Sequence, residues 1–168
     1  MLRFRSLFTA TALCILFLGT VNVNAEDQQS QCYTLASLRG SYTISGHYGA
    51  NLAIGLVRAT LDGKGNFSST FVVNEPDPAS TTGGRKLVTG TQTGTYTINC
   101  NGTGVITRVV TLSGGGTGTV VADLVITRAV RSEEGGLLAT EVVDAQRTPS
   151  FIVAGGVFLT RTYTRLPD

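Results

Sequence analysis

From residue 41 to residue 165 the chain is written largely in period two. Runs rich in Thr, Val, Ile, Tyr and Phe stop at clusters of Gly, Asn and Asp. Successive side chains of a strand point to opposite faces, so this alternation specifies antiparallel strands joined by tight turns. Strands are expected over 41–48, 52–61, 66–73, 86–91, 94–99, 103–112, 118–130, 136–145 and 156–165, with a short helical turn over 34–39. No window has the apolar spacing of a long amphipathic helix.

Asp62-Gly63-Lys64-Gly65-Asn66 is the clearest reversal, because Asp, Gly and Asn tolerate the positive φ that a tight hairpin turn requires. Asn101-Gly102, Gly114-Gly115-Gly116 and Glu134-Gly135-Gly136 mark further reversals, and Asn74 to Arg85 reads as a longer loop, the first choice for a gate. Eight or nine strands joined mainly by short hairpins leave two all-β architectures. One is a single antiparallel up-and-down β-barrel of about eight strands, and the alternative is a two-sheet β-sandwich. Meander connectivity favours the barrel.

At 168 residues, 14% of them charged and 21 of them Gly, the chain has room for one domain. It is too poor in charge for a disordered polyampholyte, a coiled coil or a basic nucleic-acid binder. Residues 1–25 have the layout of a secretory signal peptide. Arg3 and Arg5 precede an apolar run from Leu7 to Leu18, and Val23-Asn24-Ala25 supplies small residues for cleavage. The apolar run is shorter than the roughly 20 residues that span a bilayer. Leu13 before Cys14 argues against lipidation. The expected mature domain, 26–168, is therefore secreted or periplasmic. Without Arg3 and Arg5, the 13 basic residues fall level with the 11 acidic ones. That balance gives no electrostatic reason to expect nucleic acid or an anionic membrane as partner, and no membrane insertion is expected after cleavage.

The mature chain keeps Cys32 and Cys100 in an oxidising compartment, where a disulfide is the default. Catalysis by either thiol would need a base, and the single His, His47, lies in the polar phase of its strand. No catalytic residue, metal site or cofactor motif is read from the spacing.

Sorting strands by parity singles out charged residues in phase with bulky apolar ones. Arg58 follows Leu52, Ile54 and Leu56; Arg108 lies with Ile106 and Val110; Arg128 with Leu124 and Ile126; Arg161 with Leu159 and Tyr163; and Glu141 with Leu137 and Val143. If that phase lines a barrel, several guanidiniums and one carboxylate face an apolar lumen, where unpaired charge is costly. A small amphipathic or apolar carboxylate would relieve the cost, its head group held by Arg and its tail by Leu and Ile. Tyr42 and Tyr96, in phase with Ile44 and Ile98, would add hydroxyl donors.

Three motifs, Cys32 to Leu38-x-Gly40-x-Tyr42, Thr60-Leu61-Asp62-Gly63-x-Gly65-Asn66-Phe67 and Gly94-x-Tyr96-x-Ile98-x-Cys100-x-Gly102-Thr103-Gly104, resemble a group of small secreted bacterial proteins of unassigned function. The resemblance implies a calycin-like barrel, similar in outline to allene oxide cyclase and the lipocalins. No catalytic motif of the cyclases can be placed here, and the lipocalin Gly-x-Trp opening reads Gly40-Ser41-Tyr42. Three functions stand as expectations: a barrel binding a small anionic ligand in its lumen, a cell-surface structural or interaction module, and a cyclase or isomerase.

Overall fold

The computed structural model of the chain describes residues 32–48, 52–153 and 156–167, so the expected leader lies outside the described residues. Its strands are β1 (Gly40–Tyr48), β2 (Ala53–Leu61), β3 (Asn66–Pro76), β4 (Arg85–Ile98), β5 (Thr103–Leu112), β6 (Thr117–Arg131), β7 (Leu137–Gln146) and β8 (Leu159–Arg165). They lie beside one another in chain order, every pair antiparallel. β8 returns to β1 with Tyr42 opposite Arg165 and Tyr48 opposite Leu159. The result is a closed up-and-down barrel with a calycin-like outline, not a sandwich.

The turn chemistry acts as the sequence implies. Between β2 and β3 the Asp62 carboxylate accepts hydrogen bonds from the Lys64 N–H at 2.7 Å and the Asn66 N–H at 2.9 Å, and Gly63 and Gly65 take φ of 74° and 104°. The Asn66 side-chain amide and these two N–H groups pull the Asp62 carboxyl down to about 2.

One expected break is absent. The runs expected over 86–91 and 94–99 merge into a single strand, β4, which ends at Ile98, because Gln92 and Thr93 continue the ladder opposite Val110 and Val109. A Cβ on Gly94 would collide with the Thr107 carbonyl oxygen and stand 3.0 Å from Arg108 Cα. The glycine there records a close approach of two backbones. Gly94→Ala is expected to cost about 1–3 kcal/mol through overpacking. The measurement is the urea midpoint at constant slope, and an unshifted midpoint would contradict the close approach.

The lumen is packed. Even-numbered residues of β1, β4 and β5 and odd-numbered residues of β2, β3 and β8 carry the buried side chains. One core cluster, including Leu38, Tyr42, Ile44, Phe67, Tyr96, Ile106 and Leu124, fills the end closed by the 3-10 turn Leu35–Leu38. A second, including Tyr48, Phe71, Val73, Val110, Val120 and Leu159, fills the other end together with Val153. At the first end Cys32 and Cys100 stand at disulfide distance, with Cα atoms 4.3 Å apart. The Tyr33 N–H donates to the Cys100 carbonyl at 3.1 Å.

Candidate functional site

Between the two core clusters lies a buried polar group that three strands assemble. Arg108 on β5, Asp144 on β7, and Arg161 and Tyr163 on β8 all face inward, with Arg108 at 0% exposure and Asp144 at 1%. Asp144 Oδ1 accepts from Arg161 Nε at 2.9 Å, while its Oδ2 is bonded by Arg108 Nη2 and the Tyr163 hydroxyl. The Arg108 guanidinium also lies 5.4 Å from the Phe67 ring centroid, a cation–π distance. Burial pushes the Asp144 carboxyl up, but the two guanidiniums and the hydrogen bonds from Tyr163 and Arg161 outweigh it and hold the carboxyl below its ordinary range. Burial raises the Tyr163 phenol well above its usual value, so it stays protonated and donates. Two cations thus share one carboxylate. Among the described residues, Arg108 Nε, Arg108 Nη1 and Arg161 Nη2 are buried without a hydrogen-bond partner.

Beside Arg161 is a cavity of about 20 Å³, walled by Val57, Phe71, Val110 and Leu159 and capped by Ser150 and Ile152. The stretch around Ser150, and not the Asn74 to Arg85 loop, covers this end of the lumen; the Ser150 N–H is fastened to the Val157 carbonyl at 2.8 Å. A space of that size admits one water-sized particle. A fatty-acid chain does not fit it.

The larger hollows are outside. The register places Thr43, Arg58 and Thr70 in one row across β1, β2 and β3; Ser45, Leu56 and Val72 form the next, and His47, Ile54 and Asn74 the one after. Leu87 on β4 continues that last row opposite Asn74. Ile54, Leu56 and Leu87 are 51%, 60% and 68% exposed. A trough of about 550 Å³ runs over Thr43, Ser45, Leu56, Arg58, Thr70, Thr162 and Thr164, and one of about 490 Å³ over Ile54, Leu56, Val72, Asn74, Arg85 and Leu87. The two share Leu56 and Val72.

The seven residues expected to contact a ligand separate into three sets. Arg108 and Arg161 face the lumen and meet at Asp144. Arg58, Arg128 and Glu141 do not line it. Arg58 lies on the outer face because β2 turns its bulky parity outward and its small one, Ala53, Gly55 and Ala59, inward. Arg128 is thrown out by register shifts on either side of it, which invert the parity set by Leu124 and Ile126. Glu141 is its cross-strand neighbour and accepts a hydrogen bond from Thr127 Oγ1 at 2.8 Å. Tyr42 and Tyr96 face inward but their hydroxyls serve the fold: Tyr42 donates to the Ala139 carbonyl at 3.0 Å, and Tyr96 donates to the Leu35 carbonyl at 3.2 Å.

Sequence reasoning missed Asp144 and Tyr163. The available signal for Asp144 was its phase with Val142, one strand away from Arg161, together with the rule that buried guanidiniums need a buried counter-charge. No protein-family model, curated protein or solved structure matches the chain.

Proposed function

We propose that the chain is an exported binding barrel that takes a small amphipathic anion of the fatty-acid class on its outer wall, not in its lumen. The carrying observation is the contrast in space: adjoining outer troughs of about 550 and 490 Å³ against about 20 Å³ beside Arg161. Ligand sites typically offer about 300–1,000 Å³. Exposed Ile54, Leu56 and Leu87 would receive the chain, and exposed large apolar side chains in one patch are a signature of such surfaces. Arg58 stands two residues along β2 from Leu56, about 7 Å away at strand rise, on the same face. Its guanidinium has no hydrogen bond or ion pair among the described residues, which leaves its fork free for a carboxylate. The cyclase reading has no support from the lumen, since shape-controlled catalysis needs an enclosed space for its substrate.

Export is supported by the leader pattern of residues 1–25 and by the cysteine pair at disulfide distance. Apolar rows that face the lumen and a Thr-rich outer wall invert the arrangement of a membrane barrel. Membership in the secreted bacterial group that the chain resembles belongs to this same reading.

The test is titration of the purified protein with single-chain fatty acids of increasing length. Saturable binding is expected to tighten with chain length. Leu56→Ser and Arg58→Gln are each expected to weaken it by roughly 10-fold or more, the loss of one apolar contact or one charge-assisted hydrogen bond. Both positions face outward, so thermal stability should hold. Unsaturable binding, or variants that bind like the parent, would refute the ligand. If Leu56→Ser instead abolishes capture of an envelope protein, the wall is an interaction surface, a reading favoured by its shallow, open form.

A further inference from the structure

Independently of the outer wall, we infer that the closed lumen holds one halide-sized anion, bound by the Arg161 guanidinium in the cavity beneath Ser150 and Ile152. Three observations meet there. The first is charge. Arg108 and Arg161 share the single carboxylate of Asp144, and the nearby Tyr163 hydroxyl is spent as a neutral donor to that carboxylate. Glu75, the other buried acid among the described residues, does not line this cavity; its Oε1 meets the half-exposed Lys86 Nζ at 3.3 Å and its Oε2 has no partner among the described residues. Around Asp144, two guanidiniums therefore face one carboxylate, a local excess that a monovalent anion beside Arg161 offsets.

The second observation is the orphan donor. Arg161 is 5% exposed, its Nε is engaged by Asp144, and its Nη2 has no partner among the described residues while the side chain lines the cavity. Gln92, Gln146, Ser150 and Tyr48 line the same space. Gln146 spends its carbonyl oxygen on the Leu159 N–H at 3.0 Å, which leaves its amide N–H group as a donor. The third is size. About 20 Å³ accepts a particle close to one water in volume, so a halide fits where a carboxylate with its carbon does not. The cavity exists because Gly46 and Gly55 carry no side chain into it.

The probe is bromide. Crystals of the protein soaked in sodium bromide should give an anomalous bromine peak within hydrogen-bonding reach of Arg161 Nη2. In solution, the melting temperature should rise with sodium bromide beyond its rise with sodium gluconate at equal ionic strength, as expected for a ligand of the native state. Arg161→Met leaves Arg108 and Asp144 as a one-to-one pair and should remove both the peak and the bromide-specific rise. Gly55→Ala guards against a variant that fails to fold. Its Cβ would meet Val73 Cγ2 at an ordinary 3.5 Å, filling the cavity while sparing the charged group, and it should weaken the bromide response at least tenfold. No bromine peak in the parent protein, or an equal bromide response in the parent and in Gly55→Ala, would overturn the inference.

Discussion

Asp144→Ala is expected to destabilise the barrel by about 3–5 kcal/mol, the range for removing one partner of a buried ion pair. Arg108 and Arg161 would then face each other inside the lumen with no carboxylate, and neither side chain can reach water, at 0% and 5% exposure. The loss is a penalty for orphaned charge more than the worth of the pair, so the companion variant Arg108→Met, which keeps Arg161 paired with Asp144, should cost less. Urea denaturation at neutral pH measures both. A loss below about 1 kcal/mol for Asp144→Ala would mean that water or an ion reaches the guanidiniums more freely than their burial implies.

The same carboxylate sets an acid limit. Its pKa in the folded chain is lowered from the ordinary 3.8, the two guanidiniums overcoming the opposing effect of burial. A lowered folded pKa contributes stability that is complete above the unfolded value and is lost as pH falls through the folded one. The gap in stability between the parent and Asp144→Ala should therefore be constant at neutral pH and shrink below about 3.8. A gap that persists unchanged in strong acid would contradict the assignment.

The second large effect concerns the cysteines. Replacing Cys32 and Cys100 by Ser, or reducing them, is expected to cost about 4 kcal/mol by the loop-entropy estimate for their sequence separation of 68. The crosslink joins the segment before the 3-10 turn to the start of the β4–β5 hairpin. That turn carries Leu38, 1% exposed, into the core at one barrel end. Release should therefore also loosen the plug and raise hydrogen exchange at the bonded amides of Tyr33 and Ser37 ahead of the strands. The check is the urea midpoint with and without reductant. The double variant should be indifferent to reductant, and a parent that is equally indifferent would show that the bond contributes nothing.

The strands were legible wherever alternation and turn residues agreed. The 66–73 run and the 103–112 run are found within a residue or a few of β3 and β5, because Asp62 to Asn66 and Asn101-Gly102 permit only a tight reversal. The false break at Gln92-Thr93 arose because their neighbours Gly90 and Gly94 weaken the strand pattern locally, although both glycines exist to let β5 come close. Within the polar cluster, Arg108 and Arg161 followed their apolar phase inward, whereas Arg128 did not, because the irregularity around Thr127 resets parity. Parity arguments carry across a strand only while its register is unbroken.

The sequence alone determined an all-β chain of short hairpins, the pairing of Cys32 with Cys100 and the two-sidedness of β2. The tertiary structure decided which side of β2 faces in. Tyr48, Phe71 and Arg161 already occupy the lumen, so only the Gly55 parity fits and Leu56 with Arg58 is left on the outer wall. It also chose Asp144 over Glu141 as the counter-charge, since a strand's two faces are equivalent until closure makes one of them an interior of fixed volume.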